Sequence, residues 1–302
     1  MQKWERCLWI MNEFNEYGDF SLKELNARFK RYSLNYDGEE ISERTFNRDR
    51  EFIASSFQID IEYDARIRKY SLRNKEVIEE NPIYRYLLSS FHINNLSAMA
   101  IKHKDKIMLQ DPPTGVELLH TVLNAIDQGR TLYFDYTSYY TKDRTYHFEL
   151  IPAFVRLFEQ RWYLIGEFTD RSQTRVLALE RMQHLTIGEK ELLPSPTLTP
   201  QSFYEGCYGI IRDDKQPQTI WLKAYNKQID YIRSLPLHAS QKEIETGENY
   251  AIFQYYFRPS YDFIQQILWN RENMEVLKPS SFREDIISLL TQMLERYKTD
   301  RG

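Results

Sequence analysis

Two arginines, Arg175 and Arg181, bracket the run Val176-Leu177-Ala178-Leu179-Glu180. Read as one strand, residues of equal parity share a face, so both guanidinium groups project from one side with Leu177 and Leu179. An aliphatic strand with an arginine at each end can build a small anion-binding face. The planar guanidinium fork holds phosphate or carboxylate oxygens in pairs and stacks on rings. The alternative is that the two arginines pair with Glu167, Asp170 or Glu180 on the surface and hold no ligand. Upstream, Gln160-Arg161-Trp162-Tyr163-Leu164-Ile165-Gly166 alternates in the same way. Trp162 and Tyr163 therefore face opposite sides, which makes one of them core.

A second group of polar residues suits nucleic acid. Ser42 opens a helix through about residue 56, with Phe46 and Ile53, and Asp49 with Arg50, turned inward or along the seam. Arg44, Thr45, Asn47 and Arg48 then point elsewhere from its first turns. Arginine reads guanine, asparagine reads adenine, and all four reach phosphate. Two short strands follow at 59–63 and 67–72, joined by Asp64-Ala65-Arg66, with Arg66, Arg68 and Lys69 as a basic cluster. Two helices come before. The first covers 3–16, with Trp4, Leu8, Met11 and Cys7 on one face, and glycine at 18 stops it. The second begins at the capping box Ser21-Leu22-Lys23-Glu24 and carries Leu22, Leu25 and Phe29. Three helices and a hairpin describe a winged helix-turn-helix, whose third helix enters the major groove while the wing touches backbone. A capped, solvated helix on a protein-interaction domain is the competing reading.

Composition narrows the field. The chain of 302 residues, 42% hydrophobic and 28% charged with a net charge of −4, is long enough for two or three domains and not a non-specific polyanion binder. Residues 1–75 hold as many basic as acidic residues, but the basic ones cluster, so a neutral domain can present a basic face. No apolar run reaches the roughly 20 residues of a membrane span. The charged N-terminus lacks the apolar centre of a signal peptide, which points to the cytoplasm and to no membrane partner. Cys7 and Cys207 are far apart, so no disulfide framework or zinc cluster is expected, and both read as buried, reduced and structural. The six histidines form no ligand pair; His184, four residues after Glu180, lies in strand and then turn. No metal and no cofactor is expected. With no phosphate-binding loop, dinucleotide turn or nucleophile elbow, the chain does not read as an enzyme.

The remaining order completes an α+β multidomain chain. Residues 76–111 are helical in character, with a break at His92-Ile93-Asn94-Asn95 and a proline at 82 suited to the start of a helix. Asp111-Pro112-Pro113-Thr114-Gly115 marks a boundary. A helix over 116–128 and about five strands up to 187, among them 146–152 and 154–157 as separate strands, suggest a small, strongly bent antiparallel barrel. Pro194, Pro196 and Pro200 make a stiff linker. Beyond it the order strand, helix, two strands, helix, strand is ferredoxin-like, with Ser260 capping the second helix and a terminal helix over 282–297.

With these residues in view, the whole chain resembles the WYL-domain transcriptional regulators. Trp162-Tyr163-Leu164 is the namesake triplet, flanked by Arg161 and by Ile165-Gly166, and followed by Arg175 and Leu179-Glu180-Arg181-Met182. Thr45-Phe46-Asn47-Arg48-Asp49 resembles the family's recognition-helix pattern. The resemblance implies four parts: a winged helix-turn-helix over 1–75, a helical linker over 76–111, an Sm-like or SH3-like β-barrel WYL domain over 112–192, and a C-terminal ferredoxin-like extension over 201–302. It implies a cytoplasmic homodimer that binds double-stranded DNA, acts as a repressor, and senses a nucleic-acid or nucleotide-like effector. Several members control phage-defence or DNA-damage genes. By position the ligand patch would comprise Tyr136, Ser138, His147, Tyr163, Arg175 and Arg181, with Trp162 left to packing. The sequence departs from the family before Pro152, where Phe148-Glu149-Leu150-Ile151 separate His147 from the proline. The DNA contacts would be Arg44, Thr45, Asn47, Arg48, Arg66, Arg68 and Lys69. The alternative function is an accessory protein that binds RNA or single-stranded DNA on its barrel and modulates a partner enzyme.

Overall fold

The computed structural model describes residues 2–32, 35, 37–91, 105–108, 110–139, 144–170, 173–191 and 198–299. The expected helix break at 92–95, the apolar residues Leu96, Met99 and Ile101, and the linker prolines Pro194 and Pro196 lie outside them. The chain divides into two compact units, Met1–Gln110 and Asp111–Gly302. The division falls at the Asp-Pro-Pro-Thr-Gly segment.

The first unit opens with helices α1 (Lys3–Tyr17), α2 (Leu22–Phe29) and α3 (Glu43–Phe57). The Ser21–Glu24 box forms as its sequence predicts: the Ser21 hydroxyl accepts from the Glu24 N–H while the Glu24 carboxylate accepts from the Ser21 N–H at 2.8 Å. Each bond satisfies a donor that a helix start would otherwise orphan. Ser42 caps α3 through the N–H of Thr45. Cys7, Ile10, Met11, Leu25, Phe46, Ile53 and Ile59 form the core of the unit. Trp4, expected on the buried face of α1, is instead 46% exposed and lies against Phe52 and Phe57.

An antiparallel hairpin follows, β1 (Ile61–Asp64) and β2 (Lys69–Leu72), with Ile61 opposite Leu72. It is tied to the helices twice. The Tyr70 N–H donates to the Phe20 carbonyl at 2.7 Å, and Arg50 Nε donates to the Ile61 carbonyl at 2.6 Å. After it come a short helix α4 (Glu76–Glu80) and a helix over residues 82–91 (α5), whose Leu88 and Phe91 join the same core.

The second unit begins with α6 (Val116–Asp127), followed by β3 (Arg130–Thr137), β4 (Thr145–Phe158), β5 (Arg161–Phe168), β6 (Thr174–Ala178) and β7 (Met182–Glu191). The sheet order is β6-β5-β4-β3-β7, antiparallel throughout. Val122 and Ala125 of α6 close over Leu132, Phe134, Leu150, Leu164 and Leu179. Burying each of the leucines and the phenylalanine is worth roughly 2 kcal/mol. Two strands were expected on either side of Pro152; the structure has one long strand with a register shift between Pro152 and Phe154. A bulge lets the strand bend there without ending.

The run expected as one strand from Arg175 onward is two strands. β6 stops at Ala178, Leu179–Arg181 form one turn of 3-10 helix, and β7 starts at Met182. The cause is packing. Leu179 is fully buried, and its side chain and backbone sit so close to Gly115, at the start of α6, that no Cβ fits there. Gly115 itself has φ +82°, a left-handed conformation that glycine adopts without strain.

Pro200, expected in the linker, sits at the start of a helical turn, α7 (Pro200–Tyr204), whose missing N–H costs nothing at that position. Next come β8 (Gln218–Tyr225), α8 (Gln228–Ser234), β9 (Lys242–Thr246), β10 (Tyr250–Phe257), α9 (Tyr261–Trp269), β11 (Met274–Lys278) and α10 (Ser280–Thr299). The order β11-β8-β10-β9 is antiparallel. Tyr255, Phe253, Phe257, Phe263 and Phe282 fill its core. Ser260 is at the N-cap of α9 but makes no capping bond there; its hydroxyl is buried without a partner among the described residues. No described helix is long and apolar enough to cross a membrane.

Candidate functional site

In the first unit, α3 is held from behind and open in front. Phe46 and Asp49 are buried, and the Asp49 carboxylate takes two bonds from Arg6 of α1, at 2.5 and 2.9 Å. The Cys7 thiol lies beside this pair, and burial pushes it up to about 12. With one side anchored, the helical period turns Arg44 and Arg48 out to solvent. Thr45 is half-buried with its hydroxyl against that of Ser42, and Asn47 accepts from Arg50. In the hairpin, Arg66 and Arg68 occupy the exposed turn, and Lys69 pairs with Glu24 at 2.9 Å. That pairing helps hold the Glu24 carboxyl down at about 2, after the larger effect of the Ser21 N–H.

In the second unit a cleft of about 570 Å³ lies between the five-stranded sheet on one side and residues 210–212 with the start of α9 on the other. Arg161 and Tyr163 reach it from β5, Val176 from β6, and Arg181 from the 3-10 turn. Arg212, Tyr261 and Asp262 line the opposite wall. The Arg181 guanidinium lies 3.8 Å from the centre of the Tyr139 ring, a cation–π distance. Glu180 sits beneath the arginines: its Oε1 accepts from Arg161 Nη1 at 2.6 Å and is 3.9 Å from Arg181 Nε. Its Oε2 and the Arg181 Nε are buried with no hydrogen-bond partner among the described residues. Such groups are rare in interiors and mark a place where polar atoms can still be satisfied.

The far wall is fixed by Asp262. It accepts from the Ile211 N–H at 2.8 Å, and its side chain fills the space a Cβ on Gly209 would need. Burial raises the Asp262 carboxyl, and the N–H groups of Ile211 and Ile210 oppose that rise. Arg156 of β4 reaches across to donate to the Gly209 carbonyl at 3.0 Å, so the sheet itself holds the wall. Burial likewise raises the Tyr163 phenol, with Arg161 opposing.

Of the six residues expected in the ligand patch, the cleft brings together Tyr163 and Arg181. Tyr136 is buried in the sheet interior, where burial raises its phenol and the nearby Arg181 opposes the rise. Ser138 follows the end of β3 and is not among the residues lining the cleft. Arg175 is on the other face of β6 from Val176, with its guanidinium 5.3 Å from the Phe168 ring. The shared face expected for Arg175 and Arg181 is therefore lost, because the strand breaks between them. His147 is also elsewhere. It and His184 both bond through Nδ1 to the Asp135 carboxylate, His184 at 2.9 Å, on the exposed side of β3, β4 and β7. These two bonds, that from His184 first, hold Asp135 below its ordinary value. Trp162 packs on the interior cluster.

Arg161, Arg212, Tyr261 and Asp262 are the additions. Arg161 was legible: it is two residues before Tyr163 in one strand and so on the same face. The other three come from segments far along the chain, and no local pattern links them to the triplet.

A bent five-stranded antiparallel sheet covered by one helix, with an arginine-and-tyrosine cleft beside it, defines the class of the central part. Residues 117–187 match the family model of the WYL domain. Comparison with curated proteins gave no match. Among solved structures, Proteasome accessory factor B/C (PafBC) of Arthrobacter aurescens is 16% identical with a TM-score of 0.35 over 94% of this chain. This chain spans only 45% of that one. A protein described as CRISPR Cas-related is 12% identical with a TM-score of 0.38, over 93% of this chain and 72% of its own.

Proposed function

We propose that the protein is a DNA-binding transcriptional regulator, a repressor, whose first unit is a winged helix-turn-helix and whose WYL domain takes a nucleic-acid or nucleotide-like anion in the cleft. The observation that carries this is the pose of α3: anchored through Asp49 and Phe46, it presents Arg44 and Arg48 to solvent from its first turns. An N-terminal recognition-helix segment with outward arginines is what major-groove reading requires. The exposed Arg66 and Arg68 suit a wing on phosphate. In the cleft, Tyr139, Phe158, Tyr163 and Tyr261 offer rings for bases, and Arg161, Arg181 and Arg212 offer donors for phosphate. The protein works as a homodimer on paired half-sites, the usual way such a fold reaches enough base pairs.

The test is binding to duplex DNA from its own promoter over a range of salt. Wild-type protein binds, with affinity falling steeply as salt rises. Arg44→Ala with Arg48→Ala abolishes specific binding, leaves the thermal melt unchanged, and flattens the salt slope by about 2 for any residual binding. Undiminished binding by the double variant removes α3 as the reader.

A further inference from the structure

Strands β8 and β10 alternate in burial. Ile220, Leu222 and Ala224 of β8 are buried, as are Ala251, Phe253, Tyr255 and Phe257 of β10. A period of two sends their neighbours to the opposite face. The helices of this part lie on the buried side: Ile232 of α8, Phe263 and Ile267 of α9, and Phe282 and Ile286 of α10 all join that core. The other face of the sheet β11-β8-β10-β9 is left without a helix among the described residues.

What that face presents is aromatic and basic. Trp221 stands opposite Gln254, and Thr219 opposite Tyr256, so Trp221 and Tyr256 are diagonal neighbours. Tyr225 and Tyr250, directly opposite each other, form a second pair about 13 Å along the strands. Tyr256 is 56% exposed. Lys278 Nζ is 3.8 Å from the centre of the Trp221 ring, and Lys223 Nζ is 3.9 Å from that of Tyr250. Glu275, opposite Lys223, is neutralised by Arg283 at 2.7 Å and accepts from the Tyr225 hydroxyl. The face therefore keeps Lys223, Lys242 and Lys278 against Glu245. Cores of protein interfaces are depleted of lysine. Rings for bases and cations for phosphates are what an unpaired strand needs.

We propose that this face of the C-terminal sheet binds single-stranded nucleic acid, with bases stacked on Trp221 and Tyr256 and the lysines on phosphate. Four-stranded sheets with a bare aromatic face hold two or three splayed bases in this way. A base arriving on Trp221 takes the place of the Lys278 ammonium, which is then free for the neighbouring phosphate. The site is on the opposite side of the sheet from α9, and α9 forms part of the wall of the cleft, so the two are separate. Duplex DNA does not fit it, because its bases are already stacked on one another.

The test is fluorescence anisotropy of labelled oligothymidylate and oligouridylate, about eight residues long, against the full chain carrying Arg161→Ala and Arg181→Ala, which removes two of the cleft cations. Both strands bind, since stacking and phosphate contacts do not read the sugar, and a duplex of the same length does not compete. Adding Trp221→Leu and Tyr256→Leu, which keeps the face covered by apolar side chains, leaves the thermal melt in place and weakens binding at least ~30-fold. Trp221→Phe with Tyr256→Phe keeps rings at both positions and stays within about 3-fold of the parent. Lys223→Gln with Lys278→Gln lowers the salt slope by about 1.4, two contacts on a single strand. Failure of the cleft variant to bind either strand overturns the proposal, as does undiminished binding by the leucine pair. Self-association that the leucine pair abolishes, with no oligonucleotide binding, gives the face to a second copy and overturns it too.

Discussion

Arg161 donates to Glu180 at 2.6 Å, across the turn that separates β6 from β7. The same carboxylate oxygen lies 3.9 Å from Arg181, so one acid serves Arg161 and Arg181 together. An incoming anion has to compete with Glu180 for them. Glu180→Gln keeps the shape and removes the competing charge. It should tighten binding of a short single-stranded oligonucleotide by about 5-fold, a modest gain because Arg161 is partly solvated. Calorimetric titration of the two proteins reads this directly, and weaker binding by the variant would assign Glu180 a positioning role.

Asp49 gives a stability prediction. It is 1% exposed and takes both available bonds from Arg6, which keeps α3 on α1. Asp49→Ala leaves a largely buried guanidinium without its partner. The loss should be about 3 kcal/mol in urea unfolding of the first unit. Promoter binding should weaken in parallel, because α3 loses its anchor. A change under about 0.5 kcal/mol would mean that Arg6 finds another acceptor.

Acid should loosen both units. Glu24 and Glu243 are each lowered from 4.5 to about 2, Glu24 chiefly by the Ser21 N–H and Glu243 chiefly by Arg233. A depressed carboxyl contributes stability that is present above its unfolded value and lost as pH falls through the folded one. The melting temperature should therefore drop between about pH 4.5 and pH 2. Glu24→Gln should flatten that drop for the first unit, and Glu243→Gln for the second. A pH-independent melt in this range would show that neither contact survives in solution.

The elements with local signatures were legible in the sequence. Ser21 with Glu24, Ser42 before α3, and the alternation around Trp162 and Tyr163 each depend on near neighbours. The break after Ala178 was not, because alternation continues through it. What ends the strand is Leu179 locking against Gly115, some 60 residues earlier in sequence, where no Cβ fits. The bend at Pro152 read as a gap between strands for a similar reason: a bulge keeps the pairing while disturbing the period. For the cleft, β5 carried its own half of the information in Arg161 and Tyr163. Arg212 and Asp262 depend on the C-terminal wall, which Arg156 ties to the sheet through the Gly209 carbonyl.

If the cleft is the sensor and α3 the reader, cleft occupancy and DNA binding are coupled. The most direct measurement is the affinity of the full chain for its promoter duplex, with and without a saturating short single-stranded oligonucleotide. Wild-type affinity should change at least ~5-fold, the lower end of ordinary allosteric coupling. Arg181→Ala should abolish that change, while Arg175→Ala, on the far face of β6 beside Phe168, should preserve it. Equal duplex affinity with and without the oligonucleotide in wild-type protein, or a response lost with Arg175 and kept without Arg181, would mean that the cleft does not govern DNA binding through Arg181.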